Sequence, residues 1–274
     1  MPELPEVHTI VNDLAAKLPG YRIDGIEIAY GYKTCPNNQF YMQQLVNSQI
    51  EQVDRLGKNI VIKLTAHNFL IFHLAMTGKI LLKTAQNPKD THQKVELTLS
   101  KEESTMLLRF CDQRMFGKTE VLNAAELDKL KQKYGPDLVT SELTPENFLK
   151  RLQLKKTPVK NALLEQAIVA GLGNIYATDA LWLAGIHPET NTQALTSEQA
   201  QKLLSSAKTI LLEGISHRGS TLPDEAYVDI FGRPGNHQAY FRVYGRSVCL
   251  QCKTGITFKK ISGRGTYFCP VCQK

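Results

Sequence analysis

The stretch CLQCKTGITFKKISGRGTYFCPVC (residues 249–272) contains four of the six cysteines of this 274-residue chain. Its spacing, C-x2-C-x16-C-x2-C, gives two close pairs separated by one loop. Four thiolates spaced in this way are typical of a tetrahedral structural zinc site with no open coordination position. An iron site is possible from the ligands alone, and disulfides are the weaker alternative because nothing indicates an oxidising compartment. We therefore predict one structural Zn²⁺ ion held by Cys249, Cys252, Cys269 and Cys272.

The sequence around this cluster is strongly basic. Residues 150–274 contain 16 lysines and arginines against 8 acidic residues, whereas residues 1–149 contain 17 against 18. After Asp229 there are eight basic residues and no acidic one. A solubilising tail is the alternative, but so one-sided a block is typical of a surface that contacts nucleic acid or another polyanion.

The segments before the cysteines are helical in pattern. Residues 161–188 predict two helical segments with a break at residues 171–173, Gly-Leu-Gly. Thr196 followed by Gln199 forms a capping box and predicts a helix that continues through Leu211. From Tyr240 onward, basic and aromatic residues alternate in YFRVYGR (240–246), which predicts strand-like structure to the end of the chain.

The first half of the chain is rich in short apolar or alternating runs. Polar turns separate them, and this spacing favours an antiparallel sandwich or barrel. A polar stretch with Gly135, Pro136 and Pro145 indicates a boundary between lobes. The predicted strands are residues 58–64, 69–76, 79–83, 94–100 and 105–110.

The chain begins MPELPEV, and part of this start is typical of a helix. Pro5 suits the first helical turn and Glu6 suits the positive end of the helix dipole. Apolar residues at helical spacing then predict a helix that ends at Gly20. Pro2 and Glu3 are not explained by this pattern. An acidic start without an apolar segment, and the lack of any long apolar run, predict a soluble cytoplasmic protein without a membrane span.

Seven motifs, in order, resemble the formamidopyrimidine-DNA glycosylases and their relatives, the bacterial endonuclease VIII-like enzymes. Each motif alone is weak, but seven in order are very specific. They are MPELPEV (1–7), LGKN (56–59), FHLAMTG (72–78), DQRMFG (112–117), VAGLGNIYATDALWLAGIHP (169–188), VYGR (243–246) and GRGTYFCPVCQ (263–273).

The resemblance implies a multidomain α+β fold. Its parts are an N-terminal antiparallel β-sandwich with a leading helix, a helical helix–two-turn–helix domain, and a C-terminal zinc-finger β-hairpin. On this chain the domains would be residues 1–134, catalytic; 135–150, a linker; 151–230, the helix–two-turn–helix DNA-binding domain; and 240–274, the zinc-finger hairpin.

The resemblance also implies a bifunctional DNA glycosylase and AP lyase of base excision repair for oxidised purines, 8-oxoguanine and formamidopyrimidines. Removal of Met1 would expose Pro2 as a secondary amine, and α-amino groups have pKa values of about 7.7–8.0, well below that of lysine. Such an amine can attack C1′ of the damaged nucleotide and expel the base. The resulting iminium stays cationic and permits β,δ-elimination. Glu3 resembles the family's proton donor and acceptor.

Further residues match family positions that contact the lesion or fill the space it leaves. Lys58 resembles a lysine on the phosphate beside the lesion, and Arg264 resembles the hairpin arginine that helps the second elimination. Met76, Arg114 and Phe116 resemble the trio that fills the void left by the flipped nucleotide, although on pattern alone Met76 and Phe116 would be core residues. Four more residues match DNA-contacting or lesion-pocket positions: His92, Lys155, Lys160 and Asn174.

The sequence departs from the family pattern at several positions. Arg218 precedes Gly219 where the family usually has two glycines, in a loop that covers the flipped base. Ala75 stands where glycine is usual, and Asp179 where glutamate is common. The atypical loop, residues 216–235, leaves open an endonuclease VIII-like preference for oxidised pyrimidines, although DQRMFG favours purines. A non-catalytic zinc protein that binds damaged DNA is the remaining alternative. By family analogy we expect a monomer that binds damaged double-stranded DNA.

Overall fold

The computed structural model describes residues 2–224 and 226–274. Its internal contacts divide the chain into two compact units. The first, here the N-terminal unit, consists of Met1–Gln132 and His217–Asn236, and the second, the C-terminal unit, of Lys133–Ser216 and His237–Lys274. In the described parts of the chain, no helix is both long enough and apolar enough to cross a bilayer.

The N-terminal unit is an antiparallel β-sandwich with a leading helix, as predicted. One sheet has the order β1-β6-β7-β5 and the other has the order β2-β3-β4-β8. The elements are α1 (Leu4–Ala15), β1 (Arg22–Ile28), α2 (Asn38–Leu45), β2 (Ile50–Leu56), β3 (Asn59–Leu64), β4 (Asn68–His73), β5 (Gly78–Lys83), β6 (Gln93–Lys101), β7 (Ser104–Asp112), β8 (Lys118–Asn123) and α3 (Ala124–Lys131).

The core of this unit lies between α1 and the two sheets. The apolar face of α1, including Val7, Ile10 and Leu14, packs with buried residues of both sheets in one cluster. Burial of such side chains contributes about 1.5–3 kcal/mol each. The first residues of α1, which directly follow Pro2 and Glu3, are therefore held by the core.

The five predicted strands are all present, with one shorter than expected. β4 ends at His73 rather than at Met76, because the chain turns sharply after Leu74. Ala75 has a positive φ of 50°, and the Gly78 N–H donates to the Leu74 carbonyl at 2.8 Å. This turn places Met76 outside the ladder. The strands β1, β2 and β8 were not predicted.

The C-terminal unit is helical, followed by a β-hairpin. Its elements are α4 (Pro145–Leu152), α5 (Val159–Leu164), α6 (Asn174–Ala184), α7 (Ser197–Ser216), β9 (Thr257–Ile261) and β10 (Arg264–Phe268). The capping box is confirmed, since Thr196 Oγ1 accepts from the Gln199 N–H and Gln199 Oε1 accepts from the Thr196 N–H. The helix it begins continues past Leu211 to Ser216. The break before α6 is longer than predicted, because α5 already ends at Leu164.

The strand-like prediction for residues 240–246 is wrong. The backbone N–H groups of Arg242, Val243 and Tyr244 donate to the carboxylate of Asp179 on α6, at 2.7–3.0 Å. They are therefore not available for a strand ladder. Burial raises the pKa of Asp179, and the three N–H donors act in the opposite direction. The hairpin strands lie further on, between the cysteine pairs.

The segment His217–Asn236 groups with the N-terminal unit and not with α7, which precedes it. Its hydrogen bonds explain this grouping. The Ser220 N–H donates to the Glu6 carboxylate, and the Ile230 carbonyl accepts from the Leu82 N–H of β5. The predicted domain boundaries themselves, including the 151–230 domain, stay a prediction.

Candidate active site

The N-terminal Pro2-Glu3 segment is held by a buried carboxylate. Pro2, Glu3 and Glu6 are all buried. Glu6 Oε2 accepts from the Glu3 N–H at 2.8 Å, and Glu6 Oε1 accepts from the Ser220 N–H at 2.7 Å. Gly219, with a φ of 80°, is so close that a Cβ there would lie 2.8 Å from Glu6 Cγ. Met1, whose removal would expose the Pro2 nitrogen, lies outside the described residues.

Lys58 lies at the tip of the β2–β3 hairpin, as predicted. Leu56 pairs with Asn59, so Gly57 and Lys58 form a two-residue turn, and Gly57 has the positive φ of 57° that such turns need. His73 of β4 pairs with Asn59, the residue that directly follows this turn. Burial first, and then the charges of Lys58 and Lys118, lower the pKa of His73. The positive charges of Lys58 and Lys118 thus both disfavour protonation of the His73 imidazole.

The predicted trio Met76, Arg114 and Phe116 is carried by two turns that one buried carboxylate connects. Asp112 Oδ1 accepts from the Thr77 hydroxyl at 2.5 Å, and Thr77 Oγ1 accepts from the Arg114 N–H at 3.1 Å. Asp112 Oδ2 accepts from the Gly117 N–H at 2.7 Å. The sequence did not single out Asp112 or Thr77, although both belong to motifs it recognised.

The side chains of this trio point away from the core. Met76 is 39% exposed and Phe116 is 56% exposed, so the alternative that they are core residues does not hold. The Arg114 guanidinium lies 5.0 Å from the centre of the Phe116 ring, within range of a cation–π interaction. Two apolar side chains and a cation are thus presented together at one surface of the N-terminal unit.

His92 is exposed and lies on a loop that a buried arginine fixes. Arg109 Nε donates to Glu96 at 2.6 Å, and Arg109 Nη1 donates to Asp90 at 2.9 Å and to the Pro88 carbonyl. His92 also lines a cavity of about 330 Å³ next to Thr77 and Asp112. Arg109 could not be singled out from local sequence patterns, because it bonds residues of a different strand and loop.

In the C-terminal unit, Asn174 and Lys160 are brought together at the start of α6. Lys160 is only 1% exposed and donates to the Thr178 hydroxyl, which in turn donates to the Asn174 carbonyl at 2.6 Å. Asn174 Nδ2 donates to the Gly265 carbonyl of β10 at 2.9 Å. Asn174 Oδ1 is buried and has no hydrogen-bond partner among the described residues.

Arg264 lies directly after the hairpin turn and is exposed. Ser262 and Gly263, with φ values of 47° and 78°, form the two-residue turn between Ile261 and Arg264. Asn161 Nδ2 of α5 donates to Ser262 Oγ at 2.6 Å and so ties the turn to the helices. Sequence analysis missed Asn161, whose neighbour Lys160 it had selected.

Lys155 is not part of this arrangement. Its ammonium group is 3.3 Å from the Glu165 carboxylate, and both side chains are well exposed. Lys155 contributes its carbonyl to the Thr192 hydroxyl. Its contact with the DNA backbone stays a prediction.

The four cysteines of the hairpin form one cluster. Their sulfur atoms all lie within 4.8 Å of one another, and Cys249 and Cys269 are buried. The Trp182 Nε1–H donates to Cys249 Sγ at 3.4 Å, and the Cys272 N–H donates to Cys269 Sγ at 3.4 Å. Soft sulfur ligands that accept N–H bonds fit a zinc or similar ion. The cluster is a possible metal site, consistent with a zinc finger.

The two other cysteines do not belong to this cluster. Cys35 is exposed, whereas Cys111 on β7 is buried. Burial raises the pKa of the Cys111 thiol to about 12, so this group stays protonated at neutral pH.

Two families match successive parts of the chain. Residues 1–119 match the family described as formamidopyrimidine-DNA glycosylase N-terminal domain. Residues 134–225 match the family described as formamidopyrimidine-DNA glycosylase H2TH domain.

Full-length relatives and solved structures agree with these matches. The formamidopyrimidine-DNA glycosylase of Herpetosiphon aurantiacus is 36% identical over 277 residues, and that of Pelotomaculum thermopropionicum is 37% identical over 279. All of this chain and 99–100% of each relative are covered. A Lactococcus lactis Fpg complex with DNA containing an abasic site is 33% identical over 99% of both chains, with a TM-score of 0.90. A MutM complex with DNA containing carbocyclic 8-oxo-G is 32% identical over both whole chains, with the same TM-score of 0.90.

Proposed function

We propose that this chain, which belongs to the formamidopyrimidine-DNA glycosylase family and is therefore a DNA glycosylase of base excision repair, excises oxidised purines and then cleaves the strand as an AP lyase. Solved structures similar to it contain abasic-site, formamidopyrimidine or 8-oxoguanine DNA. The observation that carries the proposal is the Pro2-Glu3 segment, fixed at the start of α1 by the buried Glu6 carboxylate.

In the proposed reaction, the Pro2 nitrogen is the nucleophile. With Met1 removed, its lone pair attacks C1′ of the damaged nucleotide, and the bond from C1′ to the base breaks. The departing base takes up the proton that the nitrogen loses, and the C1′–O4′ bond then breaks; because proline is a secondary amine, the product is a cationic iminium. Glu3, the next residue, donates a proton to the sugar ring oxygen and later accepts the C2′ proton. Lys58 contacts the adjacent phosphate and assists the first elimination.

The exposed trio gives this reaction access to a nucleotide outside the helix. Extrusion of a base leaves a gap in the base stack. The lost stacking costs a few kcal/mol unless protein side chains fill the gap. Met76 and Phe116, presented together with Arg114, suit this task. Arg114 would donate hydrogen bonds to the orphaned cytosine, which supports the choice of purine lesions.

In the C-terminal unit, Arg264 would engage the phosphates and promote the second elimination. Asn174, at the N-terminus of α6, lies where N–H groups favour an anion, and Lys160 lies beside it. His92 and Lys155 would contact the DNA backbone. A zinc ion on Cys249, Cys252, Cys269 and Cys272 would stabilise a hairpin too small for a core of its own. Since each role is filled by residues of one chain, we expect a monomer.

Borohydride trapping tests the nucleophile. Three duplexes would be used, with 8-oxoguanine opposite cytosine, dihydrouracil, or an abasic site, after intact mass has shown that Met1 is removed. We expect a covalent adduct with the 8-oxoguanine duplex, and loss of that adduct in Pro2→Gly. Pro5→Ala is the matched control, because Pro5 lies inside α1 and should be dispensable for the chemistry.

The other outcomes are equally informative. An adduct with dihydrouracil alone would assign the chain to oxidised pyrimidines. No adduct on any duplex would contradict the catalytic proposal and leave a protein that only binds damaged DNA. An adduct that persists in Pro2→Gly would refute Pro2 as the nucleophile.

A further inference from the structure

Arg218 connects two acidic residues that lie far apart in the sequence. Its guanidinium Nη2 lies 2.5 Å from Asp13 of α1 and 2.7 Å from Asp229, and its Nη1 lies 3.3 Å from Asp13. We call these three residues the Arg218 clamp. Because Asp13 is on α1 and the other two are in the His217–Asn236 segment, the clamp fastens that segment to the helix that follows Pro2 and Glu3.

The backbone at Arg218 indicates that its side chain matters. Arg218 has a φ of 59°, a left-handed conformation that glycine adopts at no steric cost and other residues adopt at a cost. The backbone alone would therefore favour glycine. The Arg218 carbonyl also accepts from the Tyr227 hydroxyl at 2.9 Å, so both the side chain and the main chain of this residue are fixed.

Asp229 makes the clamp more than a surface ion pair. Its side chain is only 2% exposed, and its Oδ1 accepts from the N–H groups of Phe231 and Arg233 at 2.9 Å. Arg218 bonds the remaining oxygen. Removal of the guanidinium would leave a buried carboxylate oxygen without this partner, which is unfavourable and would loosen the contact between residues 218 and 229.

Neighbouring residues and two hydrogen bonds connect the clamp with Glu3, which follows the proposed nucleophile Pro2. Gly219 and Ser220 follow Arg218 directly, and Ser220 shares the Glu6 carboxylate with Glu3. The Glu6 carboxylate thus holds the backbone of Ser220 beside the residue that follows Pro2, where a base attached to the attacked C1′ atom can contact it. An abasic sugar has no base to contact the segment.

We propose that Arg218 is a positioning residue for base selection: the clamp holds residues 218–221 against the N-terminal segment and thereby sets which damaged bases are excised. This inference rests on the proposed glycosylase function. Loosening the clamp should change excision of bases and spare cleavage at abasic sites.

The test uses Arg218→Gln and Asp13→Asn, which break the clamp from opposite sides. Arg22→Gln is the matched control, since it removes an Arg–Asp pair of the same unit that lies at the surface, the 2.7 Å pair of Arg22 and Asp24 on β1. Hydrogen exchange is measured at residues 219–221 in the full-length free protein. Single-turnover cleavage is measured with 8-oxoguanine, formamidopyrimidine and abasic duplexes.

We expect both clamp variants to exchange about fivefold faster at residues 219–221 and to change the ratio of base excision to abasic cleavage by about fivefold or more. The control should change neither quantity. Faster exchange with an unchanged ratio would show a merely structural clamp and overturn the proposal, and so would unchanged exchange in both variants. If the unmodified protein cleaves no duplex, the glycosylase function itself fails, and the exchange data still decide whether the clamp holds the segment.

Discussion

Three buried carboxylates fix backbone segments, and two of these segments carry candidate site residues. Glu6 accepts from the N–H groups of Glu3 and Ser220, and Asp112 accepts from that of Gly117. Asp179 accepts from three successive N–H groups. A charge-assisted hydrogen bond contributes about 1.5–3 kcal/mol when the donor would otherwise be unpaired. Each carboxylate therefore determines where a loop lies, although none need touch the substrate.

The His73 imidazole gives a pH-dependent test of the position of Lys58. Its folded pKa is lowered, so below pH 6.5 the unfolded chain binds the proton more readily and the free energy of unfolding falls as the pH falls toward the folded pKa. We expect Lys58→Met to raise the pKa of His73 in an NMR titration and to reduce this loss of stability. Lys63→Met is the control, because Lys63 pairs with Glu51. An unchanged His73 pKa in Lys58→Met would place the Lys58 ammonium elsewhere.

Ala75 gives a second test at a single residue. Its φ of 50° lies in the left-handed region, at a position where glycine was expected from the family pattern. Ala75→Gly should raise the free energy of unfolding by about 0.5–1 kcal/mol, because strain relief exceeds the added freedom of the unfolded chain. The same change at exposed Ala125 inside α3 should lower it by about 1 kcal/mol. Urea unfolding of both variants decides this, and a loss of stability in Ala75→Gly would show that the turn is not strained.

At the scale of secondary structure, the sequence predicted the strands that lie inside the sheets and missed most of those at the edges. The strands β1, β2 and β8 are all edge strands. β1 (Arg22–Ile28) buries only Ile23 fully, so its alternation is weak, whereas β3 (Asn59–Leu64) is buried almost throughout. The strand prediction for YFRVYGR (240–246) was wrong for another reason. Backbone N–H groups of this segment bond to Asp179, which is distant in the sequence. Local periodicity cannot detect such a partner.

The candidate site shows the same division. Motifs led to Pro2, Glu3, Lys58 and Arg264 as the proposed reacting groups, because their residue types are ones that can carry such chemistry. The supporting residues Thr77, Arg109 and Asn161 were missed, since they act through hydrogen bonds or ion pairs to residues that only the fold brings near. The sequence alone identifies candidate reacting groups more readily than it identifies the residues that position them.

The hairpin element provides the test of metal removal. β9 and β10 pair over only five residues each, so we expect a metal ion on the cysteine cluster to contribute to holding them. We expect a chelator, or Cys249→Ser, to release one zinc ion per chain and to speed hydrogen exchange in residues 257–268, while α1 keeps its protection. Cys35→Ser, at an exposed thiol outside the cluster, is the control. Retained protection of the hairpin in metal-free protein would contradict the structural role of the ion.

Over the whole molecule, charge is distributed unevenly along the chain. Several acidic residues among residues 150–274 already form ion pairs: Glu189 pairs with Lys259, and Glu213 pairs with Arg242. Arg264 and Lys260 form no ion pair with any described residue. Their charges are therefore free to attract phosphates, and counterion release should make DNA affinity strongly dependent on salt.

The slope of log affinity against log salt concentration measures this contribution. We expect Arg264→Ala to weaken binding to an undamaged duplex and to reduce the magnitude of the slope by about one, the value for one lost phosphate contact. Lys131→Ala is the matched control, because Lys131 is exposed on α3 and bound to Asp128, in the half of the chain that has no excess positive charge. Its slope should stay unchanged. If Arg264→Ala weakened binding without a change in slope, Arg264 would act by packing or base contact, and the basic hairpin would not be a phosphate-binding surface.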